Sequence, residues 1–226
     1  MIQTEKEIKL LRKRLLEMWD LVISQLKDSK QAFLENDVEV AHRVKNNENR
    51  IDAMELGVDS ECENYILLYA PKAVDMRLVL SIINVSASLE RIADFANSIC
   101  RYIIKGGREL LSDQLLTELE MSLMFDEVIE MLGICYRSFV EKDVSSAINL
   151  IKQDDDVDRI YNKSADIIST YLQNDVSIAK ESLRLMVLLK KIERIGDHCN
   201  NIMEELVFWI DAEILKHRRI KKKDEG

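Results

Sequence analysis

Glutamate, aspartate and asparagine recur in a fixed order twice along this chain. The segments are Glu90-Arg-Ile-Ala-Asp94-Phe-Ala-Asn97-Ser-Ile99 and Glu193-Arg-Ile-Gly-Asp197-His-Cys-Asn200-Asn-Ile202. Both read E-R-I-x-D-x-x-N-x-I. On a helix, residues at i, i+4 and about i+7 share one face. Each segment thus presents oxygen-bearing side chains in a row, as a cation site requires. A structural repeat needs only its apolar positions to recur, so the recurring polar ones point to a site.

Two more acid pairs share the i, i+4 spacing, Glu48/Asp52 and Asp154/Asp158. Spacing alone is weak, since about seven such pairs arise by chance at this acid content. Their placement is stronger. Asp52/Glu90 and Glu48/Asp94 are both centred on Pro71, and Asp158/Glu193 and Asp154/Asp197 are both centred just after Asn174-Asp175. Antiparallel helices joined by a tight turn bring equidistant residues to one height. Each hairpin should gather four carboxylates about 19 residues, or ~28 Å, from its turn. Such a group in a partly dry groove must be protonated, paired with cations or metal-bound. Carboxylate-only ligation suits iron, manganese, magnesium or calcium, whereas zinc prefers added His or Cys. Asn97 and Asn200 lie one turn further on as extra ligands or second-layer partners, and His198 reaches only the edge of such a site. The competing reading is a solvated acidic face paired with Arg50, Arg91, Arg159 and Arg194.

The elements that must position these acids are long helices. Apolar residues at Ile8, Leu11, Leu15, Met18, Val22 and Leu26 follow the helical period. A helix over about 3–35 is followed by a turn at Asn36-Asp37. A second helix runs to about Tyr69, and a third has Pro71 in its first turn and stops at Gly106-Gly107. The pattern then restarts with helices over about 112–141, from Asp143 as N-cap to Asn174-Asp175, and onward to about Trp209. Phe33-Leu-Glu-Asn-Asp37-Val38 matches Phe139-Val-Glu-Lys-Asp143-Val144. The expected fold is all-α: two tandem pseudo-symmetric three-helix bundles of six long helices. They span 1–106 and 107–213, with a charged tail over 214–226.

Composition agrees. Six Gly and one Pro in 226 residues leave few helix breakers, and 47% apolar with 32% charged residues suits a globular chain. A net charge of −9 argues against general nucleic-acid binding. The basic run Lys216–Lys223 reads as a solvated end, or else as a contact for an anionic membrane or acidic partner. Cys62, Cys100, Cys135 and Cys199 form no C-x-x-C pair and are expected as buried free thiols of a reducing compartment. With no signal-peptide core and no apolar run of membrane-spanning length, the expected location is the cytoplasm.

These motifs resemble the PhoU family, the phosphate-uptake regulators of bacteria and archaea. The resemblance covers about residues 1–213. It rests on Pro71-x-Ala73-x-Asp75-x-Arg77, on both E-R-I-x-D segments, and on Ile192–His198 with Asn201 and Glu204 downstream. It implies multinuclear metal clusters, iron before zinc, nickel, manganese or magnesium, held by Glu48, Asp52, Glu90 and Asp94 and by Asp154, Asp158, Glu193 and Asp197. It further implies a non-catalytic cytoplasmic adaptor, commonly a homodimer. Such an adaptor couples a phosphate ABC transporter to a sensor histidine kinase and represses phosphate uptake, meeting the membrane only through its partners. An accessory module of a sodium–phosphate cotransporter, or a metal-free scaffold, are the alternatives. The second unit departs from the pattern at its turn, where Ser182 stands in place of the acid before Arg184. A ferritin-like oxidase is disfavoured. Glu39-x-x-His42 has no counterpart in the second unit, and His42 lies nearly three turns from Asp52.

Overall fold

A computed structural model describes residues 2–210, without the side chains of 2, 3 and 110; the basic run and the tail 214–226 lie outside the described residues. The helices are α1 (Ile2–Glu35), α2 (Val38–Asn46), α3 (Glu48–Tyr69), α4 (Ala73–Ile104), α5 (Asp113–Glu118), α6 (Met121–Glu141), α7 (Ala147–Asn174) and α8 (Ala179–Ile210). Short 3₁₀ turns precede α5 and α8, and no strand occurs among the described residues. The fold is all-helical, as the residue pattern implies.

Local chemistry sets most boundaries. Asp37 caps α2, its carboxylate accepting from the backbone N–H of Glu39 and Val40 at 3.0 Å each. It satisfies two of the donors that a helix start leaves orphaned. Asp37→Ala is therefore expected to cost about 1 kcal/mol, read as a thermal midpoint lower by roughly 2–4 °C. Gly106 takes the left-handed conformation (φ 73°) just past α4, which a glycine does without Cβ strain.

The structure breaks two helices that the period alone runs together. The second is split at Asn47, whose N–H bonds Val44 O while its carbonyl accepts from Arg50 and Ile51. Asparagine competes for backbone groups and tolerates such a junction. The fourth is split after Leu119, where Glu120 turns left-handed at φ 51°. Arg159 of α7 anchors that residue by two hydrogen bonds, at 3.0 and 3.3 Å. Asp143 closes a turn through Ser145, and α7 begins only at Ala147. Pro71 stands outside α4, after a left-handed Ala70.

Leu11, Leu15, Met18, Val22 and Leu26 form the buried stripe of α1. The two copies share one core along two antiparallel seams. Trp19 and Phe33 of α1 meet Phe139 and Phe125 of α6 at ring-centroid distances of 5.9 and 6.0 Å. Along the other seam, Ser81 of α4 donates to Glu205 O of α8 at 3.0 Å, and Phe95 stacks on His198 at 5.8 Å. Lys191 donates to Ser98 across the same seam. The four cysteines are free and buried; burial pushes the Cys62 and Cys100 thiols up to about 12.

Candidate metal centre

Helices α3 and α4 form the first hairpin, and their facing sides carry the first acidic cluster. Glu90 interacts electrostatically with Asp94, Glu55 and Asp52. Glu55 in turn interacts with Asp59, Asp52 and Asp94. All five are half-buried. Burial, then the charge of Asp94, raises Glu90 to about 7, against the pull of Arg91. Burial likewise raises Glu55 and Asp59, the latter opposed by a 3.4 Å bond from the Ser86 hydroxyl. Arg91 lies 3.4 Å from Glu90 and 3.8 Å from Asp94.

Glu48 is placed differently from its expected level. It pairs with Arg101 at 3.1 Å, about two turns beyond Asp94 on α4. Glu55 and Asp59 join the group instead. Repeat matching hides these two, because their counterparts in the second copy are Tyr161 and Ala165. The signal that finds them is their helical spacing from Asp52, at i+3 and i+7.

Helices α7 and α8 carry the second cluster in the expected register. Asp158 interacts with Glu193, and Asp154 with Asp158 and Asp197. Burial raises Asp154 to about 6, while a hydrogen bond with Asn200 opposes the shift. Gly196 lets this happen: a Cβ there would stand 3.1 Å from Asp154 Oδ1. Ala93 occupies the matching place in the first copy. Lys190 lies 2.5 Å from Glu193 and 5.2 Å from the Tyr161 ring centre. Asp158 and Asp197 are exposed, and burial raises both above the usual carboxylate range.

The remaining candidates sit at the margins. Asn97 is 1% exposed, and its amide nitrogen and oxygen both lack hydrogen-bond partners. His198 packs on Phe95 with Nδ1 unpartnered, and burial followed by the charges of Arg194 and Arg91 lowers its pKa. Arg194 lies over the Phe95 ring at 5.3 Å.

The donor chemistry fits a hard or borderline cation best in the first cluster. It offers five half-buried carboxylates and an orphaned buried amide one turn away, with the largely exposed Arg91 beside Glu90 and Asp94 and Lys191 also interacting with Asp94. Among the described residues, no three His, Cys, Asp or Glu side chains stand close enough to hold an ion as placed. An ion there would displace Arg91 and draw the acids inward.

A family model described as the PhoU domain matches residues 15–103 and 121–206, one match in each copy. Over 218 residues the chain is 32% identical to the phosphate-specific transport system accessory protein PhoU of Serratia marcescens, covering 95% of this chain and 87% of that one. It is 30% identical over 222 residues to the homolog of that protein in Aquifex aeolicus (strain VF5), covering 97% and 98%. The crystal structure of PhoU from Pseudomonas aeruginosa matches with a TM-score of 0.86 at 29% identity, over 92% of this chain and 99% of that one.

Proposed function

The chain belongs to the PhoU family, and from that premise we propose that it is a metal-binding cytoplasmic adaptor that represses phosphate uptake. Its place as an accessory protein of phosphate transport follows from family membership. In the finer reading, its surfaces engage a phosphate ABC transporter and a sensor histidine kinase, as a homodimer that meets the membrane only through these partners. No helix among the described residues is long and apolar enough to cross a membrane. The role is binding rather than catalysis, in keeping with relatives named as accessory or regulatory proteins.

The observation that carries the metal reading is the grouping of Glu90 and Asp94 with Asp52, Glu55 and Asp59 on facing helices. These residues, with Asn97 beside them, are the ones that would hold an ion. Asp154, Asp158, Glu193 and Asp197 are the candidates in the second copy, and Glu48 would have to leave Arg101 to contribute. A cation, iron in the first instance, would neutralise the cluster and cross-link α3 to α4. Carboxylates bound to metal must give up their protons, so binding should weaken as pH falls.

Protein purified without added metal or chelator is expected to carry near-stoichiometric metal by elemental analysis. Glu90→Ala combined with Glu193→Ala is expected to lose it. Trace metal in the parent, with no change in the double variant, would remove the metal from this reading. Co-purification with transporter and kinase components tests the adaptor half separately.

A further inference from the structure

At the end of the bundle where α8 stops, α1 and α3 leave a groove of about 270 Å³ between them. Glu7 and Leu10 line it from α1, and Glu61, Tyr65, Leu68 and Tyr69 line it from α3. Leu10 and Leu68 are exposed, Leu68 at 74%. Glu61 gives one oxygen to Arg14 at 2.9 Å, while its other oxygen is buried and has no hydrogen-bond partner. The rings of Tyr65 and Tyr69 lie 5.2 Å apart. The last turn of α3 carries no basic residue to answer its carbonyl end. A carboxylate oxygen, two aromatic rings and a helix C-terminus all favour a cation, and the leucines favour an aliphatic stem.

The chain carries a segment of this chemistry. Six of the eight residues over 216–223 are lysine or arginine, accompanied by Ile214, Leu215 and Ile220, in a protein whose net charge is −9. Helix α8 ends near the groove. Trp209, one residue before its end, lies under the Arg12 guanidinium at 5.2 Å. Arg12 follows Leu11, another residue of the groove wall. Leu10 and Arg12, two apart on the helix, take opposite flanks of α1. The stretch from Ile210 to Lys216 reaches about 20 Å when extended, against ~10–12 Å for the width of α1.

We propose that the groove between α1 and α3 is a docking site for a basic, aliphatic segment, and that its occupant is the chain's own 214–223. Docked there, a lysine or arginine of the run meets the open oxygen of Glu61 beside the tyrosine rings, and an isoleucine or leucine covers Leu10 and Leu68. The end of the second copy is thereby fastened to two helices of the first. The same contact withholds the run's charge from other anionic surfaces. Its edges face water, so added salt weakens it.

Trypsin cleavage within 216–223 reports the docking, since cutting proceeds through the released form. In full-length protein at low salt, these sites are expected to be cut at least about tenfold more slowly than in a synthetic peptide of residues 211–226. Glu61→Gln and, separately, Leu68→Asn are each expected to speed the cutting about three- to tenfold. Leu68 is exposed, so its substitution leaves the core untouched and serves if Glu61→Gln folds poorly. Carbodiimide treatment of a mixture of unlabelled and heavy-isotope protein should join Glu7 or Glu61 to lysines of 216–223 within single chains. Links between chains of different isotope would give the groove to a second copy and overturn the intramolecular docking. Equal cutting in protein and peptide, or unchanged cutting in both variants, would overturn the docking altogether. Binding to phosphatidylglycerol vesicles should strengthen in either variant; equal binding in parent and variants would overturn the withholding of the run.

Discussion

Glu90→Gln in the chelator-treated protein should melt above the parent at pH 8 and alongside it at pH 5. The Glu90 side chain is 15% exposed, and burial followed by the charge of Asp94 raises it to about 7 from an ordinary 4.5. An acid whose folded value lies above its unfolded one binds more protons when folded. The native state therefore loses stability as pH rises from about 4.5 to about 7. Glutamine keeps the shape and removes the ionisation. Allowing for relaxation and for the lost contact with Arg91, the gain at pH 8 should be about 2 kcal/mol. That corresponds to roughly 4–8 °C for a chain of this size. Some slope should remain at lower pH from Asp154, which burial raises to about 6. The sign should invert when metal is restored, because the substitution then removes a ligand. A variant that melts below the parent at pH 8 without metal would show that Glu90 is not strained by ionisation. A variant indifferent to added metal would separate that strain from any binding role.

Arg108→Met should lower stability by about 3 kcal/mol, read from the urea midpoint. Arg108 is 7% exposed and joins the two copies. Its Nε donates to Phe33 O at 3.2 Å and its Nη1 to Leu111 O at 2.8 Å. Phe33 lies in the last turn of α1, where carbonyls lack helical partners, and a cation there also suits the helix dipole. Methionine fills similar volume yet leaves both carbonyls without their donor, at about 1–3 kcal/mol each. The third contact, to Asp113 at 2.5 Å, contributes little because Asp113 is 91% exposed. Lysine should rescue only part of the loss, since one ammonium cannot reproduce the guanidinium fork. Full stability in Arg108→Lys would contradict this account.

The helices were legible wherever one strong signal decided them. The apolar stripe of α1, the Asp37 cap and the Gly106 stop are of this kind. The breaks at Asn47 and Glu120 were not legible. Neither contains Gly or Pro, and the second depends on Arg159 from a helix distant in sequence. For the candidate site, the E-R-I-x-D segments pointed to Glu90, Asp94, Glu193 and Asp197 because repetition marks them. The same device hid Glu55 and Asp59, whose counterparts had changed, while equal distance from Pro71 pointed to Glu48. What separates Glu48 from Asp154 is its ion pair with Arg101, where the second copy has Glu204 at the matching place. Such a pairing belongs to packing, and periodicity does not contain it.

The antiparallel seam between α4 and α8 has a consequence during synthesis. Ser81, Phe95 and Ser98 find their partners at Glu205, His198 and Lys191, roughly a hundred residues later in the chain. At elongation speeds of about 5–20 residues per second, the first copy waits roughly 5–20 s for them. During that interval one wall of its core faces the surroundings, available to chaperones and to other nascent chains. The tandem duplication that makes the fold compact also gives its first half a vulnerable period on the ribosome.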